Sequence, residues 1–339
     1  MIRVVGTDPG TSSLDLLLLV DGEVAGQERL MPEQLRRDPE CLVRQLRSWM
    51  PLDLVAGPSG YGLPLVRSSE LSDSQIDEMS LVRPDQRGLK AGVHGFRSLI
   101  RALRSSELPV VFLPGGIHLP SIPAHRKLNT IDMGTADKVA VAALALWFDA
   151  QRDGNGLPAF CQSRFALVEL GSVFAAVLVI EQGQVVDAAA GTRGPIGVRS
   201  SGAWDGEVAY WYSPLTKDHL FQGGLEDLGS LGPSAFRESL TKYVAGLQSI
   251  TPFQKMYLSG GALQRPEIVG LACAALEPLG TVTPLESLPG AWVKHAAQGA
   301  AIVADGLAGG HHADIVAALN LKGAAGSVWN GLRSKSAQN

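Results

Sequence analysis

Two short turns of this 339-residue chain combine an acidic residue, a glycine and hydroxyl side chains at matching spacing. The first is Asp8-Pro9-Gly10-Thr11-Ser12-Ser13, and the second follows Glu169. Glycine lets a ligand approach the backbone, N–H and hydroxyl groups donate hydrogen bonds to phosphate oxygens, and a carboxylate can hold Mg²⁺. The pattern therefore predicts phosphate-binding residues at Gly10, Thr11, Ser12, Gly171 and Ser172, and metal ligands at Asp8 and Glu169. For the first segment alone, an ordinary hairpin turn is the alternative.

A third glycine cluster follows a predicted strand over 255–259 and precedes a predicted helix over 266–276. It reads Gly260-Gly261-Ala262. Paired glycines would let a flat adenine or ribose lie against the backbone, although strand-to-helix turns also need glycine for purely steric reasons. The sequence predicts that these three residues bind the nucleoside part of a ligand.

Each acidic turn lies inside a predicted β-hairpin. Residues 2–7 and 14–20 flank the first turn, and residues 165–170 and 174–180 flank the second. When Asp8 is placed on Glu169 without a gap, Gly10 falls on Gly171, and Gly22 of the hairpin turn falls on Gly183. This common register indicates two related halves.

The remaining chain alternates between apolar strand-like runs and helical periodicity, which indicates an α/β protein. Helices are predicted over 35–49, 93–105, 136–150, 234–249, 266–276 and 295–307, with further strands over 52–57, 110–113 and 255–259. Residues 68–80 are predicted to be an exposed loop with a helical turn. The expected organisation is an N-terminal domain over 1–150, a linker over 151–158, a C-terminal domain over 159–322 and a flexible tail over 323–339.

Composition restricts the class of protein. With 45% hydrophobic and 18% charged residues the chain is globular, and its net charge of −4 without a basic stripe argues against a nucleic-acid partner. The three cysteines have no metal-ligand spacing, which favours a reducing compartment, so we expect a cytoplasmic protein. The longest apolar runs, 16–20 and 139–148, are shorter than the ~20 residues of a membrane helix, so we expect no membrane partner.

The order of these parts resembles that of the superfamily of acetate and sugar kinases, actin and heat-shock chaperone ATPases. The closer resemblance is to acetate and butyrate kinases. Their Asn-Pro-Gly-Ser-Thr-Ser turn is similar to residues 8–13, their Leu-Thr-Gly-Gly to residues 258–261, and their Ala-Glu-Gly-Ala-Leu helix to residues 297–301. Residues 135–140, 166–171 and 194–202 resemble three further family motifs in the same order. The likeness spans nearly the whole chain.

This resemblance implies an α/β fold with two actin-like (ribonuclease H-like) domains. Each would carry a mixed five-stranded sheet with helices on both faces, and a cleft between them would bind ATP and Mg²⁺. The implied activity is that of a butyrate kinase-like phosphotransferase, which converts a small carboxylic acid to an acyl phosphate and releases ADP. Arg199 would neutralise the transferred phosphoryl group or the acceptor carboxylate, with Asp8 and Glu169 as the other catalytic residues. A homodimer is expected.

Three positions depart from the acyl kinase pattern. Asp8 stands where the family has Asn, Glu169 stands where it has His, and Gly171-Ser172-Val173 replaces three glycines. Two alternatives therefore stay open. One is a nucleotide-binding, ATPase or regulatory protein of the same fold without acyl kinase activity, since the fold hosts several functions. The other is a kinase with an alcohol or sugar acceptor, which the acidic residues favour because an alcohol needs a general base.

Overall fold

The computed structural model describes residues 1–10, 12–81, 95–152 and 157–333. Thr11, predicted to bind phosphate, lies outside the described residues, as does part of the predicted linker. Within the described chain no helix is long and apolar enough to cross a membrane.

Six strands of the N-terminal half form one mixed sheet in the order β3-β2-β1-β4-β6-β5. Their bounds are β1 Arg3–Pro9, β2 Leu14–Val20, β3 Glu23–Leu30, β4 Leu54–Ala56, β5 Val66–Arg67 and β6 Val110–Phe112. Strands β1, β4 and β6 run parallel, and the others are antiparallel to their neighbours. The expected five-stranded sheet thus gains a sixth strand, the two-residue β5 at its edge.

The C-terminal half has the expected five-stranded sheet, in the order β11-β10-β7-β8-β9. Its strands are β7 Arg164–Leu170, β8 Ala175–Glu181, β9 Gln184–Ala190, β10 Lys255–Ser259 and β11 Thr281–Pro284. Strands β7, β10 and β11 are parallel, as are their counterparts β1, β4 and β6. The α/β architecture with two mixed sheets is confirmed.

The two hairpins repeat each other residue by residue. The offset that places Asp8 on Glu169 also superposes the two β-bulges, between Leu18 and Leu19 in β2 and between Val179 and Ile180 in β8. Both hairpin turns have positive φ at two successive residues: 49° and 82° at 21–22, and 54° and 76° at 182–183. This is the type I′ geometry that suits a two-residue hairpin. The structure supports the prediction of two related halves.

Ten helices are present in the described chain. They are α1 Pro32–Arg37, α2 Cys41–Ser48, α3 Asp73–Ser80, α4 Phe96–Arg104, α5 Ala136–Arg152, α6 Gly206–Trp211, α7 Gly232–Ile250, α8 Pro266–Leu276, α9 His295–Leu307 and α10 Ala313–Ala318. The prediction of a single helix over 35–49 is wrong. The chain forms two helices there, α1 and α2, because Pro39 disfavours helical geometry at Asp38. The helical turn predicted within the loop over 68–80 is the eight-residue helix α3, which Ser72 caps by accepting a hydrogen bond from the N–H of Gln75.

Helices α5 and α9 pack against each other at the centre of the molecule, between the two sheets. Helix α9 lies on β1, β2 and β4, although it belongs to the C-terminal half, and α5 lies on β7 and β8. A Cβ at Gly299 would lie 1.8 Å from the carbonyl oxygen of Ala140, so only glycine permits this helix contact. Helices α2 and α4 cover the outer face of the first sheet, and α7 and α8 cover the outer face of the second. The prediction of helices on both faces is confirmed.

The segment 323–339, expected to be a flexible tail, packs against the N-terminal half as far as residue 333. Val328 is fully buried, and its N–H donates a hydrogen bond to Oε1 of Glu78 at 2.8 Å. The carbonyl of Gly331 accepts one from the N–H of Asn129 at 2.8 Å. Residues 334–339 lie outside the described residues. The domain limits at 150 and 159 stay a prediction, and α5 runs to Arg152.

Candidate active site

A cleft of about 1270 Å³ lies between the two halves and contains most of the residues singled out by the sequence. Asp8 and Glu169 line it, together with the predicted phosphate-binding and nucleoside-binding residues Gly10, Ser12, Gly171, Ser172, Gly260 and Gly261. Ala262 is buried beneath its turn and does not line the cleft. The structure therefore brings all three glycine turns to one cavity.

Charged side chains of both signs line the cleft. The basic residues that line it are Arg29, Arg97, Arg101, Lys138, Arg193, Lys217 and Lys294, and the acidic ones are Asp8, Asp132, Asp137 and Glu169. Arg29, Arg97 and Arg101 pair with carboxylates that do not line the cleft, which leaves, among the described residues, Lys138, Arg193, Lys217 and Lys294 as the cations that can meet a ligand. Positive charge at these four positions suits an anionic ligand.

Asp8 lies at the end of β1 and faces Lys294, which precedes α9. The Nζ atom of Lys294 lies 3.5 Å from Oδ2 of Asp8 and donates a hydrogen bond to the carbonyl of Ser13 at 2.9 Å. A Cβ at Gly10 would approach this Nζ to 2.4 Å, so glycine leaves room for the ammonium group beside the turn. Burial raises the pKa of Asp8 to about 6, although Lys294 acts against this rise.

Glu169 lies at the equivalent end of β7 and faces Lys138, in the first turn of α5. The Nζ of Lys138 lies 2.9 Å from Oε2 of Glu169 and 2.6 Å from Oδ2 of Asp137. Burial disfavours the charged form of Lys138, but the two carboxylates outweigh burial and raise its pKa. Burial also raises the pKa of Glu169, against the effect of Lys138. Lys138 is thus firmly held as a cation in the cleft.

Both lysines lie at helix N-termini, where a cation is electrostatically unfavourable. The aligned peptide dipoles place partial positive charge at that end, so the first turn of a helix normally favours acidic residues. A lysine at the positive end of the helix dipole therefore makes a site for an anion. Lys294 is not among the residues singled out from the sequence. A lysine directly before a predicted helix start, where an acidic residue is favoured, is the signal that could have identified it.

Asp15 holds Lys294 in position. Its carboxylate is fully buried and accepts two hydrogen bonds from Arg29, at 3.0 and 2.7 Å, and one from the backbone N–H of Lys294, at 3.0 Å. It thereby satisfies an N–H group at the start of α9 that a helix leaves unpaired. Burial acts against the ionised form, but the bonds from Arg29 and Ser13 keep the pKa of Asp15 below its usual value.

The nucleoside turn follows β10. Gly260 has φ of 111°, and a Cβ there would lie 2.1 Å from the carbonyl oxygen of Leu170, so the packing of the turn on β7 requires glycine. A Cβ at Gly261 would meet nothing within 4 Å, which leaves its backbone open to a flat ligand. Nearby, Nδ1 of His295 lies 2.9 Å from Oγ of Ser259. Burial lowers the pKa of His295 to about 4, so this imidazole is neutral at physiological pH.

The structure does not bring Arg199 into the cleft. Its side chain is exposed, and Nε donates a hydrogen bond to the carbonyl of Ser172 at 3.3 Å. Three cleft residues that were not predicted are Asp132, Arg193 and Lys217. No local pattern identified them, because each reaches the cleft from a loop or a short helical turn.

A family model described as "Protein of unknown function (DUF1464)" matches residues 6–333. The chain belongs to this family. No curated protein matches its sequence significantly. Membership of this family therefore assigns no activity to the chain.

Solved structures of acyl kinases are similar to this family member in fold. An acetate kinase from Entamoeba histolytica has 12% identity and a TM-score of 0.55, covering 82% of this chain and 87% of that one. A propionate kinase from Francisella tularensis has 13% identity and a TM-score of 0.56, covering 88% and 99%. An acetate kinase from Porphyromonas gingivalis has 13% identity and a TM-score of 0.53, covering 83% and 88%. At these identities the likeness shows the actin-like two-domain fold.

The cleft fits Mg²⁺ as the companion of a phosphate ligand. Among the described residues, no group of three or more His, Cys, Asp or Glu side chains is arranged to hold a metal ion. Mg²⁺ is commonly held by one or two carboxylates together with substrate phosphates. Asp8 suits this role, because the ion pair it forms among the described residues is a long one, with 3.5 Å between its Oδ2 and Nζ of Lys294. Its carboxylate oxygens are therefore only weakly engaged by a cation. Glu169 suits it less, because Lys138 already lies 2.9 Å away.

Proposed function

We propose that this chain is an ATP-dependent phosphotransferase that phosphorylates a small carboxylic acid, in the manner of butyrate kinase. The observation that carries the proposal is the convergence of two glycine-hydroxyl turns and two helix-terminal lysines on one cleft. Phosphoryl transfer depends mainly on positioning and on neutralisation of phosphate charge, and this set of groups supplies both.

In this proposal the nucleotide spans the three turns. The adenosine lies against the open backbone of Gly261, and the phosphates lie between Gly10 and Ser12 on one side and Gly171 and Ser172 on the other. Lys294 and Lys138 donate to the phosphate oxygens. Mg²⁺, held at Asp8 when it is bound with the nucleotide, would neutralise further phosphate charge.

The acceptor carboxylate attacks the γ-phosphorus of ATP. A bond forms between a carboxylate oxygen and phosphorus, and the bond between phosphorus and the β,γ-bridging oxygen breaks, which leaves ADP and an acyl phosphate. A carboxylate is ionised at neutral pH, so no general base is required. The structurally similar acetate and propionate kinases act on carboxylic acids, as their names state, which favours this acceptor class.

A hydroxyl acceptor is the second candidate, and one observation favours it. Asp132 lines the cleft, and burial raises its pKa to about 6, which would suit a general base that removes a hydroxyl proton. A nucleotide-binding protein without a phosphoryl acceptor is the remaining alternative. The cytoplasmic location and the homodimer stay predictions.

Product analysis separates these candidates. The full chain would be incubated with MgATP and unbranched acids from acetate to hexanoate, or with alcohols and sugars. ADP release would be measured, and acyl phosphate would be trapped with hydroxylamine. We expect ADP and hydroxamate in equal amounts with at least one acid. ADP release with alcohols alone would support the second candidate, and ADP release without any acceptor would support an ATPase. The variant Lys242→Gln, on the exposed face of α7, is the control.

A further inference from the structure

A second polar cluster lines the cleft and is made of Tyr61, Asp132, Trp204 and Lys217. Tyr61 and Asp132 belong to the N-terminal half, and the other two belong to the C-terminal half. The Nζ of Lys217 lies 3.3 Å from the hydroxyl oxygen of Tyr61 and 5.0 Å from its ring centroid. This cluster, called the Lys217 cluster below, thus joins the two halves across the cleft.

Lys217 has no carboxylate partner at ion-pair distance within the part of the chain that the structure describes. Its side chain is half-buried, and burial lowers its pKa. A desolvated ammonium group is costly unless it meets an anion. The hydroxyl and ring of Tyr61 carry no negative charge, and Asp132, the carboxylate whose charge favours the ammonium form of Lys217, does not reach it at ion-pair distance. Lys217 therefore has capacity for an anionic ligand.

Trp204 supplies a second unused donor. Its Nε1 atom is buried and has no hydrogen-bond acceptor among the described residues. The backbone N–H of Trp204 bonds the carbonyl of Thr192 at 3.4 Å, and its ring packs edge-on against Tyr212 at 6.4 Å. A buried N–H without an acceptor costs free energy that a bound ligand can recover. The indole is fixed, and its donor is left for a ligand.

The neighbouring surface is apolar and small. Leu220 and Phe221 share the short 3₁₀ segment Lys217–Phe221, and both line the cleft. Phe221 packs edge-on against Phe174, with ring centroids 5.1 Å apart, and Val173 also lines the cleft. These side chains suit a short aliphatic chain. The exposed aromatic residues of α6, Tyr210 and Trp211, do not line the cleft.

We infer that Lys217 and the indole N–H of Trp204 bind the carboxylate of a short aliphatic acid, whose chain lies against Leu220, Phe221 and Phe174. The two donors lie in one neighbourhood, because the ring of Tyr212 is 6.4 Å from the Trp204 ring and 6.4 Å from the ring of His219 in the Lys217–Phe221 segment. A carboxylate has two oxygens, so one anion between the donors can accept from both. The inference rests on the proposed function and deepens it, because it assigns to Lys217 the acceptor role that the sequence assigned to Arg199. Lys217 would thereby determine specificity for acids.

Variants of the two donors test this assignment. Lys217→Gln removes the charge and is expected to raise the KM for butyrate by about 10- to 100-fold, the range for a charge-assisted hydrogen bond. The KM for ATP should change less than about twofold. Lys217→Arg should restore part of the affinity, and Trp204→Phe, which keeps an aromatic ring but loses the N–H, should weaken butyrate binding several-fold. Lys242→Gln is the matched control and should behave as wild type.

Direct binding separates failure of this inference from failure of the proposed function. Butyrate binding would be measured by saturation-transfer NMR with wild type, Lys217→Gln and Lys242→Gln, in the presence of ADP. Binding that is lost only in Lys217→Gln supports the inference, even if no acid is phosphorylated. Equal butyrate binding by all three proteins, or none by wild type, overturns it. If wild type phosphorylates acids and Lys217→Gln has an unchanged KM for butyrate, the function stands and the inference is wrong.

Discussion

Lys138 lies against Glu169 with 2.9 Å between Nζ and Oε2, although the two residues belong to different halves of the chain. The opposite pair mirrors it, since Lys294 of the C-terminal half lies against Asp8 of the N-terminal half. Each acidic turn therefore receives its cation from the helix that the other half supplies. Because α9 packs on the sheet that carries Asp8 and α5 packs on the sheet that carries Glu169, this packing holds both ion pairs in place. Phosphates bound between the two acidic turns would be held by both halves.

Loss of Lys294 should weaken nucleotide binding. Lys294→Gln keeps a donor but removes the charge that faces Asp8, so we expect the Kd for MgATP to rise about 10-fold or more, as for the loss of a charged hydrogen bond. Isothermal titration calorimetry measures this, with Lys242→Gln as the control for a lost surface charge. An unchanged Kd would exclude Lys294 from the phosphate site.

Asp8→Asn should stabilise the free protein while it impairs nucleotide binding. Because burial raises the pKa of Asp8 from 3.8 to about 6, the folded state binds the proton more tightly than the unfolded state. The contribution of Asp8 to stability is therefore highest below pH 3.8, falls as the pH rises towards 6, and stays low above it. At pH 8 we expect Asp8→Asn to raise the free energy of unfolding by roughly 1 to 3 kcal/mol, a range in which the lost pairing with Lys294 is already included.

Urea unfolding of wild type and Asp8→Asn at pH 5 and pH 8 measures this difference. The gain should be larger at pH 8, and the stabilisation of the variant by MgATP should be smaller than that of wild type. A variant that is less stable than wild type at pH 8 would show that ionised Asp8 is stabilising, against the stated cause.

The affinity for the acceptor acid should rise as the pH falls through about 6. Burial raises the pKa of Asp132 to this value, with Asp137 acting in the same direction and the Gly134 N–H, Lys138 and Lys217 acting against it. Protonation of Asp132 removes a negative charge close to Lys217, whereas a simple carboxylic acid resembling Glu, with a pKa of about 4.3, stays ionised. Butyrate titrations from pH 5.5 to 7.5 measure this, and Asp132→Asn should flatten the pH dependence, with Asp8→Asn as the control because the pKa of Asp8 is also about 6. A pH dependence that persists in Asp132→Asn and is lost in Asp8→Asn contradicts the assignment.

The contact between α5 and α9 should tolerate no side chain at Gly299. Gly299→Ala would place Cβ 1.8 Å from the carbonyl oxygen of Ala140, so we expect a loss of at least about 2 kcal/mol in the free energy of unfolding. Gly270 of α8 is a matched control, because a Cβ there meets nothing within 4 Å. Gly270→Ala should stabilise by roughly 0.5 to 1 kcal/mol through its higher helix propensity. Equal effects of the two substitutions in thermal unfolding would show that the helices can separate.

Local patterns in the sequence determined the parts of this fold. Continuous apolar runs closed by an Asp-Gly or Gln-Gly turn define each hairpin over a short stretch of chain, so the two hairpins and their repeated register could be predicted. The bounds of β10, α8 and α9 agree with the predicted ones for the same reason. The acidic turns and Gly260-Gly261 were found because glycine at such turns is a local backbone requirement.

Only the tertiary structure decided which side chains share the cleft. Lys138 and Lys294 reach the acidic turns because α5 and α9 each pack on the sheet of the other half, and the two helices contact each other at Gly299 and Ala140. Lys217 and Asp132 line the cleft from opposite halves, whereas Arg199, chosen from its motif, lies outside the cleft with an exposed side chain. Hydrophobic periodicity describes which face of a helix is buried, but the partner of that face is set by packing between residues far apart in the chain.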